Sequence, residues 1–336
     1  MFTINKSVSV WEQLVQLPFL NLYSRLLNAA MELDVFSQLC QPVTAEALAV
    51  HMGWHKANTE YLLSALVSIG FLNKTDGTYQ NTEEVDRYLV KGKDEYLGGF
   101  LPFYMQEGMA PMDVKLLVTK GPQSQQQEAM EQQLDFASFA QRMRQAQEGY
   151  RQQELLRIVR SLPENDQIRR VLDLGGATGL LGLAVIGDRP DRTGVLFDRF
   201  PPAVVEESIS LMGLTDRTEV MCGNFMADRI GERYDLILAL NVMLFAKGRM
   251  EELLKKCYDA LNPGGVLLVI SEAILPDHTG PWDMVMGYLP YYFQGMDMGV
   301  LKNEVSDAAV RVGFTKCEKR TECLCSGTQD IDIIRK

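Results

Sequence analysis

The chain has no uninterrupted apolar run of about 18 residues, which excludes a hydrophobic membrane-spanning helix on sequence grounds. Met1 to Val10 shows no charged-then-apolar leader pattern, so a cytoplasmic protein is expected. There is no surplus of positive charge. The 33 Lys and Arg stand against 44 Asp and Glu, a formal net charge of −11 that disfavours nucleic acid and other polyanions as partners. No Cys-x-x-Cys pair occurs. Cys222 and Cys257 lie in apolar surroundings and are expected as reduced core residues, and Cys317, Cys323 and Cys325 read as paired core thiols in preference to a soft-metal or redox site, so no metal is expected. Histidine is scarce, being limited to His51, His55 and His278. With 336 residues, 46% of them hydrophobic, the chain can still bury the cores of two ordinary domains.

Residues 171–179 read Val-Leu-Asp-Leu-Gly-Gly-Ala-Thr-Gly, an apolar strand running into a turn of small residues, followed by the apolar, helix-compatible Leu180 to Ile186. Such a turn lets a backbone approach a ligand at the carboxyl end of a strand, where α/β sheets bind their ligands. The spacing is Asp-x-Gly-x-Ala-x-Gly and not Gly-x-Gly-x-x-Gly, and Asp173 stands just before the turn. A carboxylate there repels a pyrophosphate and suits a cationic ligand. S-adenosylmethionine, with a sulfonium, an ammonium and no phosphate, fits. Asp198 ends the apolar run Val195-Leu196-Phe197 one helix and one strand later, where it should reach ribose hydroxyls. Each feature alone has a bland reading, a tight turn or a helix cap; in this order they favour a nucleoside-type ligand.

The first hundred residues predict helices and a small hairpin. Tyr61, Leu62, Ala65, Leu66 and Ile69 recur at helical spacing with Gly70 beyond them, Thr44 is a candidate N-cap, and Asp76-Gly77 separates two short strands. This is a winged-helix order, which often binds DNA. Residues 1–110 carry 7 Lys and Arg against 12 Asp and Glu, and Lys56 is the lone base on the presumptive recognition helix, so dimerisation is the better reading. A polar, Gln-rich stretch at 120–133 leads to a helix that sets Phe139, Met143, Gln147 and Tyr150 on one face. From Arg170 onward strands (171–174, 193–197, 218–221, 235–240, 266–271) alternate with helices (179–186, 202–212, 249–261), which predicts a doubly wound parallel sheet closed by a hairpin after Phe314. Pro263-Gly264-Gly265 is expected to stop the last of these helices.

These parts resemble the two-domain O-methyltransferases: the plant caffeate and flavonoid type, hydroxyindole O-methyltransferase, and bacterial relatives acting on secondary metabolites. The resemblance rests on Val171–Gly179, Gly223-Asn224-Phe225, Cys257–Gly265 and Ser271–Pro276. It implies an α/β fold, a Rossmann-like methyltransferase sheet at 163–336, a linking segment at 111–162 and a winged-helix dimerisation domain at 1–110. It further implies a homodimer, S-adenosylmethionine as cofactor and a small-molecule acceptor. Carried over by position, Asp173, Gly175, Gly176 and Gly179 wrap the methionine moiety and Asp198 holds the ribose. Arg199, Asn224 and Phe225 adjoin the adenine, Met143 packs over the acceptor, and Gln147 approaches the cofactor. The segment Trp282 to Val300, with Tyr288, Tyr292 and Met296, is expected to line the acceptor pocket together with Tyr104, Met105, Met109 and Met112.

One departure stands out. The family carries a catalytic His after the fourth strand, where this chain reads Asn241-Val242-Met243-Leu244-Phe245-Ala246, with Met243 or Leu244 at the position of the imidazole and Met243 expected to bind the acceptor. A phenol of pKa about 10 costs roughly 4 kcal/mol to ionise at pH 7. Glu272 is the first candidate for the base and His278 the second; an acceptor that arrives ionised needs neither. Two competing readings are a cofactor-bound enzyme that transfers no methyl group, and a ligand-sensing winged-helix regulator.

Overall fold

The computed structural model describes residues 9–102, 112–122 and 136–336, with backbone only at 136–139 and 141. Tyr104, Met105, Met109 and the Phe139 side chain therefore lie outside the described residues. The chain divides into two compact units, residues 1–109 and 110–336, so the stretch expected as a separate linker falls within the second.

In the first unit, α1 (Val10–Glu32) opens on a capping box in which Ser9 and Glu12 satisfy each other's backbone N–H. Then come β1 (Val43–Thr44), α2 (Ala45–Met52), α3 (Lys56–Ser68), β2 (Leu72–Thr75), β3 (Thr78–Asn81) and α4 (Glu83–Leu89). Thr44 caps α2 through a bond from the Ala47 N–H at 3.2 Å. Asp76 and Gly77, at φ of 49° and 80°, make the tight turn of the β2–β3 wing. Phe36, Leu39, Leu63, Leu66, Leu72 and Tyr79 form the core of this unit.

The second unit contains α5 (Val114–Lys120), α6 (Phe136–Gln147) and α7 (Tyr150–Arg160) ahead of the sheet. There follow β4 (Arg170–Leu174), α8 (Leu180–Gly187), β5 (Thr193–Asp198), α9 (Pro202–Leu211), β6 (Thr218–Cys222) and β7 (Tyr234–Leu240). The remainder is α10 (Met250–Ala260), β8 (Leu261–Glu272), α11 (Trp282–Phe293), α12 (Glu304–Val312), β9 (Lys316–Leu324) and β10 (Gly327–Arg335). The sheet order is β6-β5-β4-β7-β8-β10-β9; the first five strands run parallel and the β9–β10 hairpin is antiparallel. The order reverses between β4 and β7, and that switch point opens a crevice at the carboxyl ends of the strands.

Alternate strand residues feed two cores. Leu236, Leu238, Val266 and Leu268 pack beneath α7, α8 and α9. Ile237, Ala239, Leu267 and Val269 pack beneath α10 and α12. The Pro263-Gly264-Gly265 segment is the bulged start of β8 rather than a loop, because Leu261 already pairs with Tyr234 before the register shifts. Cys222 and Cys323 are exposed, against expectation, since they lie on the two edge strands. Among the described residues no helix is long and apolar enough to cross a membrane.

Candidate functional site

The turn after β4 is wedged between neighbours and cannot carry ordinary side chains. Gly175 (φ 73°) donates its N–H to the Phe197 carbonyl of β5 at 2.7 Å, and a Cβ there would sit 2.5 Å from Val242 Cγ1. A Cβ on Gly179 (φ 81°) would lie 2.5 Å from Leu196 Cδ1, and one on Gly176 would overlap the Asp173 carboxylate. Between them Ala177 takes φ 55°, and its N–H donates to Asp198 Oδ2 at 2.7 Å. Asp198 Oδ1 accepts the Phe200 N–H at 3.0 Å, so one carboxylate ties the β4 and β5 loops together. Asp198 is half-buried and Arg199 exposed.

Asp173 lies under the turn, 1% exposed, and accepts the Gly182 N–H at 3.1 Å. Burial pushes its carboxyl up to about 7; the Gly182 bond opposes the rise and the charge of Asp198 adds to it. Among the described residues neither Asp173 nor Asp198 is ion-paired. Gln147, expected beside the cofactor, spends its amide on the loop itself. Its Nε2 donates to the Gly176 carbonyl at 2.9 Å and its Oε1 accepts the Thr178 hydroxyl at 2.6 Å, all buried. It is a latch between α6 and the glycine turn.

Beyond β6, Gly223 N–H reaches the Asp198 carbonyl at 2.9 Å, which brings Asn224 and Phe225 to the same end of the sheet. Asn224 Oδ1 accepts the Met226 N–H at 3.0 Å, and Phe225 packs 3.4 Å from a Cβ position on Gly175. Lys256 fixes this loop: its Nζ donates to the carbonyls of Phe225 (2.9 Å), Met226 (3.0 Å) and Asp228 (2.8 Å). The sequence reading missed Lys256, which looks like a surface lysine beside the apolar stripe of α10.

At the ends of β7 and β8, Asn241 takes φ 55° and its N–H donates to the Ile270 carbonyl at 2.8 Å, and its side-chain amide is among the groups that pull the Glu272 carboxyl down. Glu272 is 2% exposed. It also accepts the Tyr288 hydroxyl from α11 and the Val300 N–H at 3.4 Å. Burial pushes its carboxyl up, while the donors pull the other way. Lys247 steadies the loop that carries Val300 by donating to Asp297 Oδ1 at 2.6 Å and to the Gly299 carbonyl at 2.5 Å.

A short 3-10 turn at Met243–Ala246 turns Met243 into the α10 side of the core, fully buried, and leaves Phe245 exposed. Met143, Tyr288, Tyr292 and Met296 are half-buried. Among the described residues the buried Tyr292 hydroxyl has no hydrogen-bond partner, and its ring meets exposed His278 edge-on at 5.3 Å. A small cavity of about 20 Å³ lies beside Asn241 toward α7, between Leu240, Ile270, Leu155 and Gln329, and none of the expected acceptor residues lines it.

Residues 122–304 match the O-methyltransferase domain model, and residues 15–91 match the O-methyltransferase dimerisation domain model. The chain is 26% identical over 267 residues to the 3-hydroxy-5-methyl-1-naphthoate 3-O-methyltransferase of Streptomyces sahachiroi, covering 77% of this chain and 76% of the relative. It is 26% identical over 330 residues to the bacteriochlorophyllide d C-20 methyltransferase of Chlorobaculum tepidum, covering 92% and 89%. The fold of human N-acetylserotonin methyltransferase, solved in complex with S-adenosylmethionine, superposes with a TM-score of 0.71 at 20% identity over 98% of this chain and 99% of that one. The chain belongs to the O-methyltransferase family, as an S-adenosylmethionine-dependent methyltransferase with the family's dimerisation domain ahead of its catalytic domain.

Proposed function

We propose that the chain methylates an oxygen of a small, partly apolar aromatic acceptor, with the methyl donor held at the carboxyl ends of β4, β5 and β6. The observation that carries this reading is the side-chain-free turn at 175–179, flanked by two carboxylates without a cation. Such a cradle fits a positively charged nucleoside and disfavours a phosphate. When bound, S-adenosylmethionine supplies an electrophilic methyl group on a positively charged sulfur.

Asp173 stabilises that charge from beneath the turn, through a medium of low dielectric. Asp198 has lone pairs left over after accepting two N–H groups, which suit a ribose diol. Phe225 offers an apolar face to the adenine, and Gln147 and Lys256 hold the two loops in shape. Tyr288, Tyr292, Met143 and Met296 supply the soft aromatic surface for the acceptor, with the unpartnered Tyr292 hydroxyl as a polar anchor. Methyl transfer is an in-line displacement, so alignment and exclusion of water are most of what the protein must provide. We further propose that the chain acts as a homodimer through its first unit.

Incubation with methyl-labelled S-adenosylmethionine and a panel of phenols, thiols and carboxylic acids tests this: label is expected to move to oxygen. Transfer to none of them, or unaltered cofactor affinity in Asp198→Ala, would refute it.

A further inference from the structure

Glu272 is shielded from any acceptor, with its oxygens taken by the Tyr288 hydroxyl and the buried Val300 N–H. Tyr288 is half-buried, so of the two partners it is the one an acceptor can reach. Its ring stands 5.9 Å from that of Tyr291 and 6.4 Å from that of Tyr292, within the aromatic surface of α11. The pair also sits where methyl delivery is expected. Asn241 is held by its N–H to the Ile270 carbonyl, two residues before Glu272 on β8, and the next residue, Val242, abuts Gly175 of the cradle. A carboxylate behind a phenol at this place does what an imidazole would do in front of it.

We propose that Tyr288 is the catalytic residue that takes the proton of a protonated acceptor, relaying its own proton to Glu272. This rests on the methyl-transfer reading above. As the acceptor oxygen forms its bond to the methyl carbon, the carbon–sulfur pair stays on sulfur. The hydroxyl proton passes to Tyr288 Oη, and the Tyr288 proton passes to Glu272. One positive sulfonium and one carboxylate disappear, leaving an ether, a thioether, a neutral phenol and a carboxylic acid, which then loses its proton to solvent. Acceptor phenol and tyrosine have similar basicity, so the first transfer is nearly level. Burial raises the proton affinity of Glu272, which makes it a better sink than a surface carboxylate.

The test is the rate of label transfer at pH 7 to substituted phenols whose pKa spans about 5 to 10. For Tyr288→Phe we expect a loss of about 100-fold in kcat/KM at the basic end of the series and less than about 3-fold at the acidic end, where the acceptor arrives ionised. Glu272→Gln should show the same gradient, and the acidic limb of the wild-type pH profile should be present only for the basic acceptors. Calorimetric affinity for S-adenosylmethionine should be unaltered in Tyr288→Phe, which separates the relay from a folding defect. A uniform loss across the series, no loss at its basic end, or loss of cofactor binding would overturn the relay while leaving methyl transfer standing. Failure of the wild-type chain to methylate any member of the series would sink both.

Discussion

Asp173 shows how much a single side chain can impose. Its carboxyl is raised to about 7 chiefly by burial, so in the folded free chain it holds its proton well above the range of an exposed aspartate. Such a group contributes stability at low pH that is lost as pH rises through about 7. Cofactor binding runs the other way, because the cation favours the ionised form. Affinity for S-adenosylmethionine should therefore rise between pH 6 and 8, with release of up to one proton, and Asp173→Asn should flatten that dependence. Calorimetry in buffers of different ionisation enthalpy measures the proton directly. At Gly175 the constraint is steric: with φ at 73° and Val242 Cγ1 2.5 Å from a Cβ position, Gly175→Ala should cost about 1–3 kcal/mol in urea unfolding and weaken cofactor binding.

Among the elements, the loops are held by side chains from helices that the motif does not include. Gln147→Ala would strand the buried Thr178 hydroxyl and leave the Gly176 carbonyl with the Gly179 N–H alone, an expected loss of about 1–3 kcal/mol, with faster amide exchange confined to the glycine turn. The turn, Asp173 and Asp198 were legible in the sequence because strand, bend and carboxylate follow one another within a single β-α-β unit. Lys256 was not, since it acts on carbonyls about one strand and one loop away in the chain and nothing in its own neighbourhood records them. The same holds for Asn241 and for the Tyr288–Glu272 bond, which exist only once β7, β8 and α11 are assembled. The burial of Met243 was not legible either, for a local reason: it lies on a 3-10 turn whose pitch sends it inward. The alternation of strands and helices was readable, whereas the bulge at Pro263–Gly265 depends on pairing with Tyr234.

For the molecule entire, α1 leaves Trp11, Leu14, Leu17, Phe19 and Leu22 between 56% and 72% exposed, a face that calls for a partner copy next to the matched dimerisation region. Trp11→Asp with Leu22→Asp should shift sedimentation from dimer toward monomer, and an unshifted dimer would count against this face. In the second unit, Asp332 lies buried in the β9–β10 hairpin with its carboxyl raised to about 6, by burial first and then by Asp330, against the opposing pull of Lys319. Its contribution is present below an ordinary aspartate pKa and fades as pH climbs through about 6. Asp332→Asn should thus melt higher than the parent at pH 8 and alike at pH 4. That hairpin also orders events during synthesis. β9 leaves the ribosome before β10, yet joins the sheet only through it, so a stop codon at the start of β10, at Gly327, strands β9 unpaired beside the open edge of β8. Ribosomal stalling there would yield aggregates rather than a smaller working enzyme.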